Sequence, residues 1–329
     1  MLENLPLPTT SGRKGIKKYS ITKVGTISSV SALYILISTS AVFLNKLLFT
    51  TSEYKFPYPF FTVLFQLCVT FIFMILWSSC RPVRSTHIPR FSWDSSVAIR
   101  VAPLSIVYMC VIIFNPLFLR HVEATAYHFS HSLSIAFSLI FSFYMLQVEP
   151  SQNLISACII IMLGFCIGSM GQLNFSLAGV FYALAWPAVV AIYGIYVKKT
   201  VAALRNDVWL LIQYNTAMSI ATLIPLVLLS GELKEVLTNV WFLDEFGFWL
   251  QMIITSFTGF AVNVAMIYLL IHATPLTLAV ASANKSIVQA SIAAIVFGNS
   301  MSLLNAAGML TALGGTLFYI HTKYNELYL

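Results

Sequence analysis

From about residue 25 to residue 321 the sequence is a succession of apolar runs joined by short polar connections. The runs fall at about 25–49, 58–80, 97–119, 123–147, 153–171, 176–197, 207–229, 247–271, 275–298 and 301–321. A hydrocarbon core about 30 Å thick is crossed by about 20 residues of helix. Lipid offers no partner to backbone N–H and C=O groups, so runs of this length must close their hydrogen bonds internally, as helices. Charged residues make up only 9% of the chain, against about 25% in a typical globular domain, which excludes an ordinary soluble fold. The expected fold class is an all-α polytopic membrane protein with ten transmembrane helices.

The net charge of +7 does not point to nucleic acid, because the positive residues are spread through the connections and form no single patch. Arg13, Lys14, Lys17, Lys18 and Lys23 precede the first run. With ten spans, Arg81, Arg84, Arg90, Arg100, Lys198, Lys199, Arg205 and Lys323 fall on the same side as these, and Lys55, Arg120 and Lys234 on the other. The positive-inside bias therefore predicts cytosolic N- and C-termini. The N-terminal segment shows no apolar core before a small-residue cleavage site, so no cleaved signal peptide is expected. Cys68, Cys80, Cys110, Cys158 and Cys166 lie in or at the ends of apolar runs without paired spacing, as free thiols packed among apolar groups. The connection at 230–246, with Glu232, Lys234, Glu235, Asp244 and Glu245, reads as a solvated lumenal loop. Asn174-Phe175-Ser176 matches a glycosylation pattern, but it sits against the membrane and is not expected to be used.

An internal repeat emerges when the chain is slid by about 150 residues. ATAYHFSHSLS at 124–134 then lies over PLTLAVASANK at 275–285, MLGF at 162–165 over ALGG at 312–315, and FQL at 65–67 near IQY at 212–214. The set points to two five-span halves, and an odd number of spans per half inverts one half relative to the other. Inverted repeats are a signature of secondary transporters, whose site lies near midplane at the repeat interface. The expected division is a basic tail at 1–24, five-helix repeats at 25–171 and 172–322, and a short tail at 323–329.

Within the ninth run, Lys285 sits near mid-membrane, where a lysine costs about 2.5–3.5 kcal/mol on insertion scales. Ser282, Lys285, Ser286 and Gln289 are spaced i, i+3, i+4 and i+7 and share one helical face. The repeat sets a second polar stripe opposite it: Tyr127, Ser130, His131, Ser134 and Ser138 in the fourth run. Tyr127 and His131 in that register read as cavity lining. The serines alone read equally as hydroxyls bonded to their own backbone.

Other polar residues carry two readings each. Gln213, Tyr214 and Asn215, with Ser219 and Thr222 below, offer amides that can read a nucleobase edge or glue helices together. Asn45 and Lys46 close the first run, where Lys46 can snorkel to water or gate a ligand. Asn115 precedes Pro116 and reads as a helix kink with a capping amide. Tyr182, Tyr193 and Tyr196 can stack on a ring or belong to the interfacial belt. The small residues of GFCIG at 164–168, with Ala306, Ala307, Gly308, Ala312, Gly314 and Gly315, are expected to pack the fifth and tenth runs closely, within the bundle or between two copies.

No Asp or Glu lies deep in any run, so the intramembrane carboxylate that proton- and cation-coupled carriers use is missing. A buried lysine with no acid beside it calls for an anionic ligand, and phosphate groups supply one. The sequence contains no HEXXH and no glycine-rich phosphate loop before a helix, so no enzyme activity is expected. His128 and His131 lack a neighbouring carboxylate or thiolate, and neither metal nor cofactor is expected.

The order of features resembles the drug/metabolite-transporter superfamily and, within it, the nucleotide-sugar transporters, most of all the GDP-fucose transporters. The carriers are AVFLNKLL at 41–48, IFNPLFLRHV at 113–122, SHSLSIAFSLIFSFYML at 130–146, IYVKK at 195–199, QYNTAMSIATLIPLVLLSGEL at 213–233 and TPLTLAVASANKS at 274–286. The resemblance implies a ten-span carrier that exchanges a cytosolic nucleotide sugar for lumenal nucleoside monophosphate by alternating access. Tyr214 and Asn215 match the family's seventh-span Tyr-Asn pair, and Asn284 and Lys285 its ninth-span Asn-Lys, at the nucleotide site. This chain has Asn115-Pro116 where Asn-Asn is usual, Ser130-His131 where Gly-Arg is usual, and Thr216 for the second seventh-span Asn.

The expectation is an antiporter in the Golgi or ER membrane that carries a GDP-sugar, GDP-fucose first, into the lumen against GMP. Its substrate-binding residues would be Lys285, Asn284, Ser282, Gln289, Tyr214, Asn215, Tyr127, Ser130, His131, Ser134, Asn45 and Lys46. Its partners would be the nucleotide sugar, the monophosphate, membrane lipid and a second copy of the chain. An exchanger of another nucleotide sugar or of a sugar phosphate is the alternative within the class. A non-transporting membrane adaptor that keeps the fold is the alternative outside it.

Overall fold

The computed structural model describes residues 10–48, 54, 56–79, 90–121, 124–169, 177–297 and 302–328, with backbone alone at 10–24, 119–120, 124–129, 131, 177–178, 293–294, 296–297 and 327–328. The chain runs α1 (Thr10–Lys46), α2 (Pro59–Ser79), α3 (Ser95–His121), α4 (Ala124–Leu146), α5 (Gln152–Ser169), α6 (Leu177–Ala203), α7 (Val208–Leu229), α8 (Glu232–Asn239), a 3-10 turn (Trp241–Asp244), α9 (Phe246–His272), α10 (Pro275–Phe297) and α11 (Leu303–Tyr328). Counted over the described residues, eight of the helices are long and apolar enough to cross a membrane, and α4 adds the shorter apolar stretch Ser132–Leu146. α10 is an otherwise apolar helix that carries Asn284, Lys285 and Gln289. No strand occurs among the described residues.

Helix starts follow from local chemistry. Asp94 precedes α3 and its Oδ1 accepts the Ser96 N–H at 2.9 Å, while Asp207 caps α7 by accepting from Leu210 N–H at 3.0 Å. Thr274 Oγ1 accepts the Thr277 N–H at 3.3 Å with Pro275 at the first helical position, a start that uses proline where its missing N–H costs nothing. Gly231 turns the chain from α7 into α8 at φ +76°, a conformation that disfavours any side chain.

α5 packs on α11, and α4 lies against α5, α6 and α10. α3 meets α6 and α7, α2 meets α7 and α9, and α1 meets α9 and α10. The α5–α11 contact is made backbone to backbone: a Cβ on Gly308 would stand 2.5 Å from the Gly164 carbonyl oxygen and the Gly168 nitrogen, and one on Gly164 2.5 Å from the Ala312 nitrogen. The small residues are thus what lets these two helices approach.

Two stretches differ from the sequence reading. Helix α1 begins at Thr10, inside the stretch read as a polar tail. The 230–246 connection is folded as α8 and the 3-10 turn because it buries apolar groups: Val236 and Phe242 join Leu48, Phe56, Phe248 and Met252 in one cluster, an aromatic cap on the face of the bundle opposite the chain ends. Cys80, Arg81, Arg84, Lys55, Glu123 and the Asn174-Phe175-Ser176 pattern lie outside the described residues, and Cys68, Cys110, Cys158 and Cys166 are free.

Candidate functional site

Helix α10 presents two polar faces. At 3.6 residues per turn Asn284 lies about 160° round the helix from Ser282, and the two residues bond in different directions. Asn284 Nδ2 donates to the Val280 carbonyl at 2.9 Å, and its Oδ1 accepts from Thr316 Oγ1 of α11 at 3.0 Å. Ser282 is hydrogen-bonded to Tyr34 of α1 at 3.1 Å, and Ser286 donates to the Ser282 carbonyl at 3.4 Å. Lys285 is half-buried and has no hydrogen bond or ion pair among the described residues. Gln289, one turn further on, is buried with its Nε2 unpaired among them. The ammonium and the amide are the groups this helix leaves unspent.

Helix α4 lies against α10, with Ile135 in the same apolar cluster as Leu276, Ala279, Ala283 and Ile287. Ser130 is buried and donates to the Ala183 carbonyl of α6, Ser134 is buried, and the buried Ser138 hydroxyl has no partner among the described residues. The side chains of Tyr127 and His131 lie outside the described residues.

The seventh-span pair is placed elsewhere. Tyr214 is buried at the end of the bundle near the start of α3, where its hydroxyl donates to the Ser92 carbonyl and accepts the Asp94 N–H at 2.8 Å. Trp93 stacks on its ring with centroids 5.8 Å apart. The Asn215 Oδ1 accepts from Ser105 Oγ of α3 at 3.0 Å. Both residues join α7 to α3 and its preceding segment. Asn45 accepts from Gln66 Nε2 at 3.3 Å, and Lys46 is exposed at the end of α1. Lys198 caps the end of α9: its Nζ donates to the carbonyls of Leu270, Ile271 and Ala273, a cation at a helix C-terminus.

Two cavities flank this framework. A groove of about 610 Å³ runs between α1, α10 and α11 on the Asn284 side, walled by Ile27, Ile35, Val280 and Ile320 with Lys323 and Glu326 paired at its rim. A chamber of about 210 Å³ lies between α2, α3, α6, α7 and α9, lined by Gln66, Thr70, Tyr108, Tyr193, Thr216, Ser256 and Asn263 among others. The Tyr34 that holds Ser282 packs in the same cluster as Tyr193. Gln66, Tyr108 and Asn263 escaped the sequence reading as site residues. The available signal was the spacing of Ser256, Gly259 and Asn263, which fall within two turns on α9. No group of metal-ligating side chains occurs among the described residues.

Known proteins resemble this arrangement over nearly its whole length. A Dictyostelium discoideum protein named GDP-fucose transporter 1 is 36% identical over 307 residues, which cover 92% of this chain and 82% of the relative. A Drosophila melanogaster protein named GDP-fucose transporter, Golgi, is 26% identical over 91% of this chain and 90% of the relative. A solved crystal structure 12% identical in sequence superposes with a TM-score of 0.62 over 89% of this chain and 96% of its own, a likeness of fold. The profile of the Triose-phosphate Transporter family matches residues 26–320, and the chain belongs to that family.

Proposed function

We propose that the protein is an antiporter that carries a GDP-linked sugar, GDP-fucose first, from the cytosol into the Golgi or ER lumen in exchange for GMP. The observation that carries this reading is Lys285: a half-buried cation inside an apolar helix, on a polar face, with no counter-charge among the described residues. A diphosphate supplies that charge. His131, on the neighbouring α4, is the second group proposed for the phosphates, and the names of the relatives supply the nucleotide sugar.

The pairing of helices supports the inverted repeat. If α1 to α5 correspond to α6, α7, α9, α10 and α11, the α1–α9 contact is the counterpart of α6–α3, α2–α9 of α7–α3, and α1–α10 of α6–α4. Contacts α2–α7, α4–α10 and α5–α11 then map onto themselves, and every member of this set occurs. The self-paired α4–α10 contact joins the two helices that carry the polar stripes, and a site between them would lie at the repeat interface, where alternating access needs it. The distribution of Arg90, Arg100, Lys198, Lys199, Arg205 and Lys323 on the face of the chain ends supports cytosolic termini.

Proteoliposomes preloaded with GMP and offered labelled GDP-fucose, UDP-sugars and sugar phosphates test the reading. GDP-fucose uptake that depends on internal GMP is expected. Uptake of a sugar phosphate alone moves the protein to the other chemistry for which its family is named, and no uptake of any substrate refutes exchange.

A further inference from the structure

Lys285 is not among the residues that line the chamber between α2, α3, α6, α7 and α9, and that lining carries amides and hydroxyls but no cation. At about 210 Å³ it falls below the roughly 300–1,000 Å³ of sites that engulf a whole drug-sized ligand, so it fits one ring system of a larger molecule. Tyr108 and Tyr193 stand with centroids 5.5 Å apart and planes at 32°, an aromatic wall for a flat partner. The amides of Gln66 on α2 and Asn263 on α9 line the same chamber.

Gln66 gives its Nε2 to Asn45, which orients the amide. Its Oε1 is then the atom presented toward Gly259, 3.7 Å from where a Cβ there would stand. Asn263, on the same helix as Gly259, makes no hydrogen bond with any described residue and offers both a donor and an acceptor. The Thr216 hydroxyl is buried and unpartnered among the described residues, and Ser256 donates to the Met252 carbonyl. The chamber therefore holds a fixed acceptor and an uncommitted amide beside an aromatic face.

Resting on the nucleotide-sugar reading above, we infer that this chamber receives the nucleobase and that Gln66 and Asn263 determine its identity as guanine. Guanine presents the O6 acceptor and N–H donors along one edge. Gln66 Oε1 accepts from those donors and Asn263 Nδ2 donates to O6, while the Tyr108–Tyr193 wall stacks on the ring. Asn45 is a positioning residue, because it fixes which end of the Gln66 amide faces the chamber. The phosphates extend toward Lys285, past Tyr34 and Ser282.

The test is exchange by the full-length protein in proteoliposomes loaded with GMP, AMP, UMP or CMP at equal concentration. Wild type is expected to prefer GMP. Gln66→Met and Asn263→Leu should each cut that preference by about ten- to a hundredfold, whereas Lys285→Gln should weaken all four nucleotides alike and leave the preference intact. If an apolar variant fails to fold in detergent, the near-isosteric pair replaces it: Asn263→Asp loses the donor to O6 and with it the guanine preference, and Gln66→Glu keeps its acceptor and keeps the preference. Wild type that moves no nucleotide overturns the exchanger reading itself. Wild type that exchanges GMP, with folded Gln66 and Asn263 variants of unchanged base preference, overturns the chamber assignment alone, and a wild-type preference for another base overturns the guanine assignment.

Discussion

Helices α7 and α10 read alike in sequence, each an apolar run interrupted near the middle or one end by an amide beside a larger polar residue. Their outcomes are opposite. In α7 the Tyr214 hydroxyl is spent on Ser92 and Asp94 and the Asn215 carbonyl oxygen on Ser105, so the helix is bolted to α3 and the segment before it. In α10 Asn284 is spent in the same way on Thr316, but its neighbour Lys285 is left without a described partner. A polar group in a span either completes the scaffold or awaits a ligand. What separates the two is whether the packed helices answer it.

The largest expected effect breaks this comparison on the α10 side. Lys285→Ala removes the proposed counter-charge of the phosphates, and truncating one partner of a buried charged pair costs about 2–5 kcal/mol. Exchange should fall by about thirtyfold or more, with membrane abundance at or above wild type, because the substitution also removes an insertion penalty of about 2.5–3.5 kcal/mol. Flux of labelled GMP set against protein level by quantitative blot measures both. Retained exchange would remove Lys285 from the site.

On the α7 side the expected pattern is reversed. Tyr214→Phe strips the group that satisfies the Ser92 carbonyl and the Asp94 N–H, and Asn215→Leu leaves the buried Ser105 hydroxyl without its acceptor. Each should cost about 1–3 kcal/mol of stability, read as a lower unfolding temperature in detergent, with exchange per folded molecule and base preference close to wild type. A variant with normal stability and altered base preference would return that residue to the substrate.

Much of this was legible in the residues. Apolar run length marks the helices, because lipid forces the backbone to satisfy itself. Lys285 marks its own helix, because a lone cation in a span has few explanations. Three things were hidden. The α8 segment alternates charges with single apolar residues, and only the folded chain brings Leu48, Phe56 and Phe248 to meet Val236 and Phe242. The fate of Tyr214 depends on a backbone carbonyl at Ser92, in a different connection, and no local pattern announces such a partner. Gln66 and Asn263 are single amides in long apolar runs, and they line one chamber only when α2 and α9 are packed together.

The smallest expected effect sharpens the claim that α7 belongs to the scaffold, because the helix is pinned at its second end as well. Just beyond it, Glu232 Oε2 accepts the Phe61 N–H of the first turn of α2 at 2.7 Å, a carboxylate at a helix N-terminus. Burial pushes this carboxyl above the ordinary glutamate range, and neighbouring Glu235 adds to that, while the N–H groups of Phe61 and Phe60 pull the other way. A folded-state pKa raised above the unfolded one means that the folded protein binds the proton more tightly. The contribution of Glu232 is therefore full below the unfolded value near 4.5 and is lost as pH rises through the folded one. Glu232→Gln keeps an oxygen for Phe61 and cannot ionise, so the variant should lose the fall in unfolding temperature above pH 4.5 that wild type owes to this group. Because the side chain is only half-buried, solvent screening holds the difference to about 0.5 kcal/mol or less. Glu232→Ala removes the acceptor altogether and should cost about 1 kcal/mol below pH 4.5, as the loss of a helix cap does, and less as pH rises through the folded pKa. If the glutamine and alanine variants melt alike at all pH values, the hydrogen bond to Phe61 contributes nothing, and this end of α7 is held by the packing of Leu223 and Val227 against Leu67 and Ile112.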